Sequence, residues 1–241
     1  PTVEVAEEEP VGAIVAPVSE AETVYRAAME AGSQRDFVRA RELLEKTLRL
    51  QPDYLTADLA LGVVLGILNE SEAGRARLER ISNLSVPLAV DAHVLLANQA
   101  SKEGRYEDTA KHYAQAIKIS PENVGLHVKL GMSLIAQSRA EEAIPVLEAA
   151  IALRPKASKA WLNLGRAFLS LDRSSEAELC FQRVRELDKR NLFATWYLAR
   201  LVAERDQKEE ANALYEEAAK WAAERRQLEL VVRIRAEQKS L

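Results

Sequence analysis

Residues 158–191 read SKAWLNLGRAFLSLDRSSEAELCFQRVRELDKRN, and their arrangement of small and large residues recurs about every 34 residues, six times along the chain. Within this stretch Gly165 and Ala177 are small and Phe181 is large. The first small position is occupied in turn by Ala28, Gly62, Ala97, Gly131, Gly165 and Ala199. A repeat of this length predicts a solenoid of stacked structural units.

The spacing within one repeat has a physical explanation. Each repeat contains two helical patterns joined by a short polar turn. A large side chain at either small position would hold the two helices apart, so we expect close helix pairs there. The large residue, Phe181 in the quoted stretch, is expected to fill the seam toward the next repeat. No single repeat can bury its apolar face alone, so the repeats are expected to stack.

The quoted repeat resembles the tetratricopeptide repeat, whose pattern is Trp, Leu-Gly, an aromatic residue, Ala, Phe, Ala and a closing Pro. The matching residues are Trp161, Leu164, Gly165, Phe168, Ala177 and Phe181, with Val184 in place of the second Ala. The resemblance covers about residues 20–225. It implies an all-α fold, an α-solenoid in which helix-turn-helix units form a right-handed superhelix, with a capping helix at the C-terminal end.

Three segments are predicted from the sequence. Residues 1–18, rich in Pro, Val, Ala and Glu, are interpreted as an extended acidic linker. Residues 19–225 are expected to hold six units, and residues 226–241 a cap helix with Leu228, Val231, Val232 and Ile234 on its apolar face. The predicted units are about 21–54, 55–89, 90–123, 124–157, 158–191 and 192–225, the second one residue longer than the others. The alternative for the last helix is docking of a partner.

Four residues are predicted to cap helices, because each precedes a Glu by three positions. Ser19 would cap the first helix, and Asn69, Ser138 and Asp206 would cap the second helices of later units.

Composition and motifs argue against catalysis and general nucleic-acid binding. The formal net charge is −4, and no phosphate loop or metalloprotease motif is present. His93 and His127 share the repeat position of Trp161, which favours a structural role. The single cysteine, Cys180, is interpreted as a packed thiol. We therefore expect no enzyme activity, no cofactor and no metal site.

The resemblance implies that the first helix of each unit lines a concave, partner-binding groove. The predicted groove is apolar in its first half and basic and aromatic in its second half, so its ligand would be a peptide or helix with apolar and acidic segments. The predicted groove residues are Tyr25, Met29, Val63, Asn98, Val128, Lys129, Met132, Lys159, Asn163, Arg166, Phe193, Trp196, Tyr197 and Arg200. A carboxylate clamp of the chaperone-tail-binding type is rejected, since only Asn98 and Lys159 match its pattern.

Three functions are compatible with this pattern. The first is a non-catalytic protein–protein interaction scaffold or adaptor. The second is a bacterial envelope assembly factor, periplasmic or a lipoprotein, for a secretion system or pilus. The third is a homo-oligomeric scaffold in which residues 1–18 bind a groove, with a plain tether as the alternative role of that segment. Because the sequence begins at Pro1, a preceding segment is expected. A signal peptide or lipid anchor in that segment would favour the periplasm or a membrane tether, toward which the sequence leans, and an initiating Met without a signal would favour the cytoplasm.

Overall fold

In the computed structural model, which describes residues 18–241, the chain forms thirteen α-helices and no strand within that range. The predicted linker lies outside the described residues except for Val18, which is exposed. The helices are α1 Glu20–Ser33, α2 Phe37–Leu50, α3 Leu55–Ile67, α4 Ser71–Ser82, α5 Leu88–Lys102, α6 Tyr106–Ile119, α7 Val124–Ala136, α8 Ala140–Leu153, α9 Ser158–Leu169, α10 Ser174–Leu187, α11 Leu192–Ala203, α12 Lys208–Glu224 and α13 Leu228–Lys239. None of these helices is both long and apolar enough to cross a membrane.

The chain divides into two compact units, one ending at Arg77 and one beginning at Leu78, so that the boundary falls within α4. In the first unit α1 packs on α2 and α2 on α3, around Ala28, Leu44 and Leu61. In the second unit the helices pair as α5–α6, α7–α8, α9–α10 and α11–α12, and each pair packs on the next. The predicted all-α fold of stacked helix pairs is confirmed.

The small positions of the repeat are sites of close approach between paired helices. A Cβ atom at Gly131 would lie 2.6 Å from Cγ of Leu147, and one at Gly74 would lie 2.6 Å from the carbonyl oxygen of Gly62. Real Cβ atoms do not approach other atoms this closely, so a larger residue would push the helices apart. The large residue of a repeat, such as Leu147, therefore packs against the small residue of its own repeat, such as Gly131, in addition to facing the next repeat.

The turn inside each repeat contains one residue with a left-handed backbone. These residues are Arg35, Asn69, Gly104, Ser138, Asp172 and Asp206, with φ between 57° and 73°. The amide after each one closes the preceding helix by donating to the carbonyl five residues earlier, as from Arg139 to Leu134. Their spacing is 34 residues except for the 35 residues from Asn69 to Gly104, which indicates one extra residue between these two turns.

The predicted helix caps are only partly confirmed. Oγ of Ser19 accepts a hydrogen bond of 3.1 Å from the amide of Glu22 and caps α1. The predictions for Asn69, Ser138 and Asp206 were wrong, because these residues lie in the left-handed turns and the second helices begin two residues later. Short polar side chains favour both left-handed turns and N-caps, so their presence alone does not separate the two roles.

Helix α13 packs on α12 as the last layer of the second unit. Val231 and Ile234 are buried, whereas 71% of Leu228 and 69% of Val232 is exposed. The prediction of one apolar face containing all four residues was therefore wrong for Leu228 and Val232. These two lie one helical turn apart and point away from the buried side of the helix.

Candidate partner-binding surface

The predicted groove residues fall on both units. Tyr25 and Met29 lie on α1 and Val63 lies on α3, all in the first unit. Met29 is exposed, and the half-buried ring of Tyr25 contacts that of Tyr54 at a centroid distance of 5.0 Å. Val63 is half-buried. The other eleven residues lie on α5, α7, α9 and α11 of the second unit.

In the last three helix pairs of the second unit, charge is segregated between the first and second helices. Helices α7, α9 and α11 carry four basic residues, Lys129, Lys159, Arg166 and Arg200, and no acidic one. Their partners α8, α10 and α12 carry eleven acidic and four basic residues. Helices α7, α9 and α11 therefore present positive charge although the whole chain is acidic.

Arg166, Tyr197 and Arg200 converge on one pocket of about 390 Å³, which Ile135 of α7 and Leu169 of α9 also line. The wall contains Asp172 and Glu204 as well, so the pocket is polar but not uniformly basic. Arg166 and Arg200 occupy the same position in successive repeats, 34 residues apart, which explains why their side chains meet here.

Both arginines of this pocket retain hydrogen-bonding capacity. Nη1 of Arg166 donates to Oδ1 of Asn163 at 2.9 Å, and within residues 18–241 Arg166 has no carboxylate at ion-pair distance. Arg200 is 43% exposed, and its Nε lies 4.0 Å from Oε2 of Glu237, a long ion pair. Because a guanidinium has five N–H donors, each arginine can still bind a carboxylate from a ligand.

The ring of Tyr197 has a fixed orientation. It stacks on Phe181 with a centroid distance of 4.9 Å and an angle of 11° between the rings. On this support Tyr197 offers a rigid aromatic surface beside the two arginines. Tyr and Arg are among the residues that most often dominate binding energy at protein interfaces.

A second, smaller pocket of about 230 Å³ lies between α5, α6 and α7. Tyr106, Tyr113, Lys129 and Met132 contribute to its lining. The hydroxyl of Tyr113 donates to Oδ1 of Asn98 at 2.7 Å, so Asn98 positions that ring and is only partly exposed. Nζ of Lys129 lies 5.6 Å from the Tyr113 ring centre. Burial raises the pKa of Tyr113, which keeps its hydroxyl protonated at neutral pH.

Helix α7 connects the two pockets. Met132, of which 47% is exposed, lines the smaller pocket, and Ile135 one turn later lines the larger one. We call this surface the basic face and define it by Lys129, Met132, Arg166, Tyr197 and Arg200. Its character changes along its length, from aromatic and apolar near Met132 to cationic near Arg166.

Comparison with known proteins agrees with this repeat architecture. Residues 25–66 and 128–192 match the sequence model of the tetratricopeptide repeat. Tetratricopeptide repeats thus occupy these two ranges of the chain. The resemblance noted in the sequence is thereby confirmed.

Solved structures share this fold at low sequence identity. A crystal structure of MamA protein matches with a TM-score of 0.61 at 18% identity over 70% of this chain and 92% of that one. A second MamA structure, MSR-1 C2, gives 0.55 at 22% identity over 70% and 97%. TTC0263, a thermophilic tetratricopeptide protein of Thermus thermophilus, gives 0.53 at 18% identity over 92% and 100%. A comparison with curated proteins finds no match.

Three of the predicted groove residues are buried, so the prediction that they contact a partner was wrong. Val128, 7% exposed, packs with Val124, Ala150 and Ala160. Asn163, 4% exposed, donates from Nδ2 to the carbonyl oxygen of Lys159 at 2.8 Å. Val128 and Asn163 thus turn toward neighbouring backbone and side chains, so that neither residue offers a side chain to a partner.

Trp196 is the third of these buried residues. Its Nε1 donates to Oε2 of Glu237 at 2.8 Å, and the guanidinium of Arg233 lies 4.9 Å from its ring centre. The cap helix α13 supplies both contacts, so Trp196 holds the end of the repeat array. Lys159 and Phe193, by contrast, are exposed at the starts of α9 and α11 and lie outside the two pockets.

The tetratricopeptide-repeat position that Trp161 occupies has a structural role. Nε1 of Trp161 donates to the carbonyl oxygen of Pro155 at 2.9 Å, and Nε2 of His127 lies 2.7 Å from that of Pro121. Each ring thus fastens a first helix to the turn that precedes it. This arrangement agrees with the structural role predicted for His127.

Two residues at this same position were not recognised in the sequence. Asp58 is fully buried, and its Oδ1 accepts a hydrogen bond of 2.5 Å from Nη1 of Arg77. Thr195 is also fully buried, and its Oγ1 has no hydrogen-bond partner within residues 18–241. Aligning all six predicted repeats, with one extra residue in repeat 55–89, would have placed both at the position of Trp161.

The side chains that most often act in catalysis or metal binding, the cysteine and the histidines, lie packed among other side chains in this structure. Burial raises the pKa of Cys180 to about 12, so its thiol is protonated at neutral pH. Nδ1 of His93 lies 3.2 Å from Nδ1 of His112, and burial lowers the pKa of both rings. In the described range no group of three His, Cys, Asp or Glu side chains is placed to hold a metal ion.

Proposed function

We propose that this chain is a non-catalytic interaction scaffold whose basic face binds an extended acidic segment of a protein. The observation that carries the proposal is the convergence of Arg166, Tyr197 and Arg200 on one pocket. Two guanidinium groups beside a rigid aromatic ring form a suitable site for a carboxylate side chain and its apolar stem.

The charge distribution supports an acidic ligand. A negative segment approaching α7, α9 and α11 meets four basic residues and no acidic residue on those helices. The same segment is repelled by the acidic excess on α8, α10 and α12. Electrostatic complementarity of this kind selects the face and the orientation of a partner.

The smaller pocket supports an apolar residue in the same ligand. Met132 and the rings of Tyr106 and Tyr113 offer contact surface for an aliphatic or aromatic side chain. The ligand would then place its acidic residues near Arg166 and Arg200 and its apolar residues near Met132. A soft side chain such as Met adapts to apolar residues of different shapes.

Binding of synthetic peptides tests the proposal directly. The probe is a fluorescent peptide of about 15 residues in which Glu alternates with Ala or Leu, and fluorescence anisotropy is recorded during titration with the full chain. We expect Arg166→Glu combined with Arg200→Glu to weaken binding by about tenfold or more, because the pocket arginines are lost. Replacement of every Glu in the peptide by Lys is expected to abolish binding.

The matched control is Lys118→Glu combined with Lys220→Glu. These residues are exposed on α6 and α12, outside the basic face, and the substitution changes the net charge by the same amount. Affinity is expected to stay within about twofold of that of the wild type, and circular dichroism verifies that both variants are folded. Equal weakening by both double variants would mean that net charge alone attracts the peptide, and the proposal would be abandoned.

A further inference from the structure

We infer that the basic face of one copy of this chain binds residues 4–17 of a second copy, so that the chain self-associates in a head-to-tail manner. The inference rests on the proposed function and names the occupant of the same face. It joins two features of the chain that carry opposite charge and that each consist of a charged part followed by an apolar part. One is the basic face and the other is the N-terminal sequence.

The charges of the two features are complementary. Residues 1–17 contain four acidic residues, Glu4, Glu7, Glu8 and Glu9, and no basic residue. The basic face contains three basic residues, Lys129, Arg166 and Arg200, on helices that carry no acidic residue. Within residues 18–241, Lys129 and Arg166 have no ion-pair partner, so their charges are available to an incoming chain.

The order of polarity also matches. In the N-terminal sequence the acidic residues come first and the apolar stretch VGAIVAPV, residues 11–18, follows. On the basic face the cationic pocket at Arg166 and Arg200 is joined through α7 to the aromatic and apolar pocket at Met132. One direction of binding therefore places glutamates at the arginines and aliphatic residues at Met132.

We assign the contact to a second copy. A tail that reaches the basic face of its own chain would have to span the distance between the two units, whereas a tail of another copy has no such requirement. The described residues begin at Val18, next to α1 in the first unit, whereas the basic face belongs to the second unit. A tail of one copy on the face of another is a heterologous contact, which leaves a free face and a free tail at the two ends. Self-association should therefore increase with protein concentration beyond the dimer.

Sedimentation velocity of the full chain over a range of concentrations tests this inference. The wild type is expected to associate, and to do so about tenfold more weakly when the salt concentration is raised from about 0.05 M to about 0.5 M. Two charge-reversed variants are expected to stay monomeric. One replaces Glu4, Glu7, Glu8 and Glu9 by Lys, and the other combines Arg166→Glu with Arg200→Glu.

Mixing the two variants is the decisive step. In a mixture the unchanged acidic tail of one variant can bind the unchanged basic face of the other, and the lysine-substituted tail can bind the glutamate-substituted face. A mixture should therefore associate while each variant alone does not. The control pair Lys118→Glu and Lys220→Glu should associate like the wild type. A wild type that remains monomeric at every concentration, or variants that do not restore association on mixing, would overturn the inference. If the acidic probe peptide still binds the wild type in that case, the proposed function stands without it.

Discussion

The ring of Phe181 occupies the space in which a side chain at Gly165 would begin. A Cβ atom at Gly165 would lie 2.6 Å from Cε1 and 2.8 Å from Cζ of that ring. On its other side the ring stacks on Tyr197, which lines the pocket of the basic face. The smallest residue of the repeat thus sets the position of an aromatic residue at the candidate binding surface.

Gly165→Ala is expected to destabilise the chain by about 1–3 kcal/mol, because the added methyl group displaces a fully buried ring. Urea unfolding followed by circular dichroism measures the loss. The control is Gly66→Ala in α3, where a Cβ atom would meet nothing within 4 Å. That change is expected to raise the free energy of unfolding by about 0.5–1 kcal/mol, because alanine favours helix. Equal effects of the two substitutions would contradict the packing described for Phe181.

Thr195→Val is expected to stabilise the chain by about 1 kcal/mol, since it removes a buried hydroxyl group that has no partner within the described residues. Thermal unfolding and urea unfolding give the change. Thr47→Val is the control, because Oγ1 of Thr47, although buried, donates to the carbonyl oxygen of Leu43 at 2.9 Å. That variant should be neutral or less stable than the wild type. A loss of stability in Thr195→Val would show that the hydroxyl group is satisfied.

The chain is expected to lose stability as the pH falls, through the paired rings of His93 and His112. Burial lowers the pKa of both from about 6.5, so the folded state binds fewer protons than the unfolded state. This contribution to the free energy of unfolding is fully present above about pH 6.5 and decreases as the pH falls below that value. Asp108 and Glu79 oppose the shift of His112, and Arg105 adds to it.

The corresponding measurement compares urea unfolding at about pH 7.5 and about pH 5.5 for the wild type and His112→Gln. The wild type should lose more stability between the two pH values than the variant does, because glutamine does not titrate. An equal loss in both would assign the acid sensitivity to other groups.

The repeat register accounts for contacts between residues at fixed spacings. The contact of Gly165 with Phe181, 16 residues apart, follows from the regular pairing of two helices within one repeat, and the meeting of Arg166 with Arg200, 34 residues apart, follows from the stacking of successive repeats. The burial of Trp196 could not be predicted from its own repeat, because the residue that binds its ring nitrogen, Glu237, belongs to the cap helix α13. Register assigns a position to a face, but the neighbouring helix decides whether that side chain remains exposed.

The left-handed turns show a different kind of limit. Asp206 precedes a glutamate by three residues and satisfies the pattern of a helix cap, yet it closes the preceding helix. The same short side chain suits both conformations, so local sequence leaves the choice open. Alignment of all six turns would have decided it, because Gly104 stands at the equivalent position and glycine marks a left-handed residue.

The separation of charge between first and second helices has a consequence for the speed of binding. With basic residues on α7, α9 and α11 and an acidic excess on α8, α10 and α12, the last three helix pairs carry charge of opposite sign on their two sides. If the proposed function holds, an acidic chain is turned toward the basic face before any contact forms, so that more of its collisions become productive. We then expect rapid association with the ligand, even where each individual ion pair contributes little to the lifetime of the complex.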